Sequence, residues 1–257
     1  MPNIHPTAIV DSKAELGEQV SIGPYAVIEG DVVIDEGTEV HSHVLVAEGA
    51  RIGKKCVLHH SCVVSTLPQD LKFGGEKTLM EIGDETVIRE FCTLNRGTKD
   101  RDKSRIGSSC LLMAYSHVAH DCFVGDKVIM ANGVQLGGHV TVEDNAVLGG
   151  LVAVHQFCNV GRHSMVGGCK GVVKDVPPYV LAAGEPVSFK GLNVTGLKRR
   201  GFSSEVIREL RNCYRIIYRS GLNTSQALEK LSQMEHIGEE VKAVIGFFRA
   251  SERGVIR

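Results

Sequence analysis

His120 and Asp121 stand side by side in the chain, with His117 just before them. A carboxylate next to an imidazole can hold the ring in the tautomer that a general base requires. Neighbouring residues of an extended strand point to opposite sides, so the two side chains meet only if the backbone turns a corner between them. Further along come Gly137-Gly138-His139 and His155-Gln156. Glycine backbone at Gly138 offers an N–H group to a developing oxyanion. Two plainer readings stand beside this one. The chain carries 11 histidines, and His41, His59 and His60 form a second group that reads as surface or subunit contact. Three histidines at 120, 139 and 155 would also suit a zinc-dependent hydratase.

These positions come together only if the chain repeats at a fixed step, and it does. Every sixth residue from Ile4 is aliphatic: Ile4, Val10, Leu16, Ile22, Ile28 and onward to Val64, then Ile82, Ile88 and Leu94, then Ile106 without a break to Val172. The residue two before each is also restricted (Ala8, Ala14, Val20, Ala26), and residues two apart on a strand share a face, so both point inward. A short strand and a corner every six residues predict a hexapeptide β-helix of three sides, about 18 residues per coil and about 4.8 Å between coils. Adding one coil to position 120 reaches Gly138, beside His139, and adding two reaches Gln156, beside His155. The three histidines are therefore expected near one corner on successive coils. Glycine often follows the large aliphatic residue (Gly17, Gly53, Gly107, Gly125), which reads as provision for positive φ at a sharp corner. Cys56, Cys62, Cys92, Cys110, Cys122 and Cys158 fall on the small inward position and are expected to fill core.

The pattern places a β-helix over residues 1–185, with excursions at 66–79 and 98–104, and a helical domain over 186–257. Excursions from a rigid scaffold are where binding residues tend to sit. In the helical part, Val206, Leu210, Cys213 and Ile217 share one face, with Ser203 or Ser204 as N-cap and Gly221 as terminator, and further helices are expected from Thr224 and over 239–248. Lys190, Lys198, Arg199, Arg200, Arg208, Arg211, Arg215 and Arg219 gather there, either as a solvated face or as a dock for an acidic partner or a nucleotide phosphate.

The formal net charge of −1 gives no sign of a nucleic-acid partner. No apolar run approaches the roughly 20 residues of a membrane span. The N-terminus lacks the pattern of a signal peptide, and the scattered cysteines show no metal-binding pair, so a cytoplasmic protein without a metal is expected.

Taken together, Gln69-Asp70-Leu71-Lys72, His117-Val118-Ala119-His120-Asp121-Cys122, Gly137-Gly138-His139-Val140, Val154-His155-Gln156-Phe157-Cys158, Asp175-Val176-Pro177-Pro178-Tyr179 and Gly196-Leu197-Lys198-Arg199-Arg200-Gly201-Phe202 resemble the UDP-N-acetylglucosamine acyltransferase family, which opens lipid A biosynthesis. The resemblance covers nearly the whole chain; the left hand of the β-helix is that of known hexapeptide-repeat proteins. It implies transfer of a 3-hydroxyacyl chain from acyl carrier protein to the sugar 3-position, with no cofactor beyond the donor's phosphopantetheine thioester. It also implies a homotrimer with sites in the clefts between subunits. His120 matches the family's general base, Asp121 its orienting partner and the Gly138 N–H its oxyanion donor. His117, His139, His155 and Gln156 match cleft residues, and Asp70 and Lys72 match sugar and phosphate contacts from a neighbouring subunit. Asn193, Arg199 and Arg200 match contacts near the helical domain, and Gly168 matches the position that limits acyl length. Thr195 departs from the family, standing where a glutamate is usual near the uridine. A 3-amino acceptor, giving an amide, is the alternative within the family, and the zinc hydratase is the distant one.

Overall fold

The computed structural model describes all 257 residues. The chain winds into a left-handed parallel β-helix whose short strands stack into three sheets of 11, 9 and 8 strands. The first sheet starts at Asn3–Ile4, the second at Ile9–Val10 and the third at Glu15–Leu16. Most coils advance by 18 residues, as in the register His117↔Gln135 and Gln135↔Ala153. Large aliphatic side chains and their small partners fill the prism: Ile28, Leu58, Leu94, Leu112, Met130 and Leu148 are buried, with Ala26, Cys92, Cys122 and Cys158 beside them. Replacing one of the large residues by Ala would cost about 2–5 kcal/mol, because coils fixed by hydrogen bonds cannot collapse onto the void. The first coil is less protected, and Ile4 is exposed where nothing covers the end of the prism.

The reason for the repeating glycines differs from the one expected. Gly17, Gly53, Gly107 and Gly125 do not have positive φ. The left-handed conformation falls two residues further along each corner, on Gln19, Lys55, Ser109 and Lys127. A Cβ at Gly17 would lie 2.7 Å from the Glu36 nitrogen, and one at Gly107 would lie 2.6 Å from the Gly125 carbonyl carbon. The side chain is excluded by the backbone of the next coil.

Both excursions leave from the edge between the second and third sheets. The first runs between strands Val63–Thr66 and Leu79–Ile82, and the second between Thr93–Asn95 and Lys103–Ile106. The Asn95 amide ties the first excursion down by donating to the Thr66 hydroxyl (3.0 Å) and the Leu67 carbonyl (3.0 Å).

At the far end, Ser188–Leu192 folds back antiparallel on Val180–Ala183. Four helices follow: α1 (Val194–Arg199), α2 (Ser204–Arg219), α3 (Thr224–Ser232) and α4 (Glu239–Ala250). Ser203 caps α2, and Asn223 with Gln226 forms a capping box on α3. The backward strand and α1 were not anticipated, because both are too short to show a period. α2 buries Ile207, Leu210, Cys213, Tyr214 and Ile217 between the prism and the other helices, and the Tyr214 hydroxyl donates to the Pro178 carbonyl.

His163 joins the two parts, stacked on Tyr179 (5.6 Å) and edge-on to Phe202 (4.9 Å). Its Nδ1 is buried with no partner, and burial, followed by the nearby Arg200 and Arg162, lowers its pKa from 6.5 to about 4. Between pH 6.5 and about pH 4 the unfolded chain therefore binds a proton there that the folded chain refuses, so stability falls as pH falls through that window. Above it both states are neutral and the difference vanishes. His163→Phe, which keeps the aromatic stack, is expected to flatten the decline in melting temperature between pH 6.5 and pH 4 while leaving the neutral-pH value within a few degrees.

Candidate active site

The His120 corner is built by the end of strand His117–Val118 turning toward Phe123–Val124. Asp121 takes the left-handed conformation (φ 59°), and this corner swings its carboxylate back beneath the His120 ring. Nδ1 of His120 lies 2.7 Å from Oδ2 of Asp121. The carboxylate accepts the Nδ1 proton, which leaves Nε2 as a free base.

Asp121 is fully buried and its oxygens are well occupied. The Thr98 backbone N–H donates to Oδ1 (2.9 Å) and the Thr98 hydroxyl to Oδ2 (2.8 Å). Burial by itself would raise the Asp121 carboxyl. The bonds from His120 and from both Thr98 donors outweigh it and hold the group below its ordinary value. The Arg101 guanidinium donates to the Asp121 backbone carbonyl (2.9 Å) and lies over the Phe123 ring (4.8 Å). Neither Thr98 nor Arg101 belongs to a motif that marks it as a site residue in the sequence. The available signal was the polar interruption at 98–104, one coil beneath His120.

Gly138 lies directly above His120, and the ring rests on its backbone. A Cβ there would stand 2.7 Å from Cε1 and 2.8 Å from Nε2 of His120, so any side chain would displace the imidazole. Gly138 is largely buried, and its N–H has no partner in the chain. On another edge, the equivalent corner amides of Lys54, Ser108 and Asp126 are capped by the carboxylates of Asp84, Asp126 and Asp144. No carboxylate performs that task at Gly138, so its amide remains free to donate.

His139, His155 and Gln156 share this edge, but the histidines do not form one column. In the 18-residue register Gly138 and Gln156 lie above His120, His139 and Phe157 lie above Asp121, and His155 lies above Gly137. The His139 ring therefore stacks on Phe157 (4.5 Å, 12°) and meets His120 edge-on (5.3 Å). Burial, chiefly, lowers the pKa of His139, and likewise that of His117, whose Nδ1 lies 2.7 Å from the Thr93 hydroxyl. The metal-capable group within 4.8 Å is His120, Asp121 and His139. His155 is outside it, and both Asp121 oxygens are already engaged, so the three-histidine zinc set is not assembled.

The remaining expected residues lie elsewhere. Gly168 is on the edge between the first and second sheets. Asn193 uses its side chain structurally, accepting from the Gly196 N–H (3.2 Å) and donating to the His163 carbonyl (3.0 Å). Arg200 donates to Asn145 (3.0 Å), and Arg199 is exposed beside it. These three lie at the edge between the third and first sheets. Asp70 and Lys72 flank the tip of the first excursion, where Leu71 is completely exposed. One chain thus distributes the candidate residues over three edges.

Known proteins match this arrangement. Residues 175–256 match the family described as Udp N-acetylglucosamine O-acyltransferase, Domain 2, and residues 13–48 match the bacterial transferase hexapeptide (six repeats). The acyl-[acyl-carrier-protein]--UDP-N-acetylglucosamine O-acyltransferase of Thiobacillus denitrificans is 47% identical over 258 residues, spanning 100% of both chains. The UDP-N-acetylglucosamine acyltransferase structure from Bacteroides fragilis superposes with a TM-score of 0.96 at 41% identity, covering 98% of this chain and 99% of that one. The Francisella novicida enzyme gives 0.93 at 35% identity, covering 99% and 94%.

The Asp121 clamp generates a measurable expectation. Thr98→Val removes one donor to a buried carboxylate and is expected to cost about 1–3 kcal/mol of stability at pH 7. A carboxyl held below its ordinary value stabilises the fold above about pH 4 and ceases to do so as it protonates, so the deficit should narrow below that pH in denaturant titrations. With likeness running along the whole chain at 47% identity, the protein belongs to the UDP-N-acetylglucosamine O-acyltransferase family.

Proposed function

We propose that the protein transfers a 3-hydroxyacyl chain from acyl carrier protein to the 3-hydroxyl of UDP-N-acetylglucosamine, the step that opens lipid A biosynthesis. The observation that carries this reading is the His120–Asp121 pair at 2.7 Å, lying beneath a free glycine amide in a chain of this family. Nε2 of His120 takes the hydroxyl proton as the sugar oxygen attacks the thioester carbonyl. The new C–O bond forms, the carbonyl electrons move onto oxygen, and the Gly138 N–H donates to that oxyanion. The buried Asp121 carboxylate stabilises the imidazolium. Collapse of the intermediate breaks the C–S bond, and His120 returns its proton to the departing thiolate of the carrier. Neither bond change calls for a metal or redox cofactor.

The roles of the other residues are those the family resemblance implies. His117, His139, His155 and Gln156 line the approach to His120. Gly168 borders the path of the acyl tail, Asp70 and Lys72 reach the sugar and its phosphates, and Asn193, Arg199 and Arg200 serve the nucleotide or the phosphopantetheine. On α2, Arg208, Arg211, Arg215 and Arg219 recur at helical spacing on an exposed face, which suits an acidic carrier protein. No helix is long and apolar enough to cross a membrane, and we assign the enzyme to the cytoplasm, where its free cysteines would stay reduced.

The active unit in this reading is a homotrimer with sites between subunits. Support comes from the division of the candidate residues among three edges, which a second chain lying alongside would reunite. Exposed Leu71 and the exposed stripe of Tyr25, Phe91, Tyr115 and Leu151 are apolar surface of the kind that a neighbouring subunit covers.

Two measurements test the proposal. His120→Ala is expected to lower turnover by roughly 10²- to 10⁴-fold, as removal of a general base does, while the protein stays folded with a melting temperature lowered by the loss of one donor to Asp121. The assay should offer 3-hydroxyl and 3-amino acceptors with a ladder of hydroxyacyl carriers and weigh the products by mass, and near-normal turnover would remove the mechanism. Second, mixed assemblies of His120→Ala and Lys72→Ala chains should recover activity that neither variant has alone, because one interface in such a mixture retains both residues. No recovery on mixing, with subunit exchange verified, would place all of the site in one chain.

A further inference from the structure

The C-terminal tail returns to the active-site edge, and it is held there firmly. Asp175, fully buried at the end of the prism, is its anchor. Its carboxylate accepts from the Asn159 backbone N–H (2.7 Å) through Oδ1 and from the Ser251 hydroxyl (2.6 Å) through Oδ2. Its backbone pairs with the tail in both directions: the Asp175 N–H donates to Gly254 (2.9 Å), and the Ile256 N–H donates to Asp175 (3.0 Å). Between these ties the chain brings Arg253 beside the second and third coil positions of the site. It lines a cavity of about 530 Å³ together with Arg101, His139, Phe157 and Asn159. Its Nη2 lies 3.0 Å from Nδ1 of His155.

A guanidinium can only donate. For this contact to be a hydrogen bond, Nδ1 of His155 must be unprotonated, so that the ring is neutral with its proton on Nε2. The same Nδ1 also lies 3.1 Å from the Gln156 carbonyl, a group that can only accept. One nitrogen cannot serve both neighbours. With Arg253 in place the Nδ1–H form would point a proton at a cation, and without Arg253 the Gln156 carbonyl would favour that form. Nε2 of His155 has no partner in the chain, so the tautomer decides whether the ring offers the cleft a donor or an acceptor.

We infer that Arg253 is a positioning residue that fixes His155 as the Nε2–H tautomer, making it a hydrogen-bond donor to a substrate oxygen in the acyl-transfer site. This rests on the proposed acyl transfer. It adds a residue that lies 98 positions from its target in sequence and in a different part of the fold. Arg253 acts through His155 and has no part in the bond-making steps.

The test uses the full-length enzyme labelled with ¹⁵N-histidine, with His155→Gln assigning the resonance. The expected two-bond ¹⁵N–¹H pattern is a protonated Nε2 in the wild type and in Arg253→Lys, which keeps a donor, and a shift toward Nδ1–H in Arg253→Met. Turnover should fall about 10-fold in Arg253→Met and recover most of that loss in Arg253→Lys, the size expected for one hydrogen bond to a charged group. Combining Arg253→Met with His155→Ala should be no slower than His155→Ala alone, because a residue acting only through another is not additive with it. A wild-type ring carrying its proton on Nδ1 would overturn the inference without recourse to any variant. Unchanged turnover in Arg253→Met, or additive losses in the double variant, would do so too. Absence of acyl transfer by the wild type would count against the functional proposal instead, and the spectrum would still decide the tautomer.

Discussion

Parallel backbone hydrogen bonds that join each coil to the next hold every other feature of this protein in place. The ladder leaves a strand no freedom to slip, because a one-residue shift would turn its aliphatic side chains out to solvent. Atoms far apart in sequence are therefore placed with the precision of a crystal row. The His120 ring rests on Gly138, and His139 stacks on Phe157, because the coil length sets which residue lies above which. A site built on such a frame needs little local support to stay preorganised.

The frame explains the scaffold's chief expense in polar chemistry. A fully buried carboxylate is costly unless its oxygens are satisfied, and Asp121 is satisfied by a segment that departs from the repeat. Thr98 reaches it from the excursion one coil below, and Arg101 of that excursion ties down the same corner. The interruption in the hexads thus supplies the donors that a regular coil would lack. Gly138 plays the complementary part, since the absence of a side chain lets the imidazole approach and leaves an amide without a partner.

The helical part is coupled to the prism at two edges by different means. Asp175 binds the tail to the last coils, and His163 is packed against Tyr179 and Phe202, just beyond the end of α1. Residues beyond the β-helix reach side chains on its corners, Arg253 at His155 and Arg200 at Asn145. The exposed arginines of α2 lie outside these contacts, free for a partner.

The sequence by itself determined the β-helix, because a period of six survives in the residue types: Ile28, Leu58, Leu112 and Met130 occupy inward positions, and each is buried. It also determined the adjacency of His120 and Asp121 and the coil arithmetic that brings Gly138 above them. Period and adjacency are one-dimensional properties, and they can be read in one dimension. Three matters were decided only in the tertiary structure. The repeating glycines answer to backbone on the next coil and not to φ, a steric limit visible only between coils. His139 stacks its ring on Phe157 and meets His120 edge-on, an orientation that coil arithmetic does not supply. Thr98 reaches Asp121 and Arg253 reaches His155 across separations that follow no period. Such contacts depend on where irregular segments come to rest, and that is set by packing and buried hydrogen bonds.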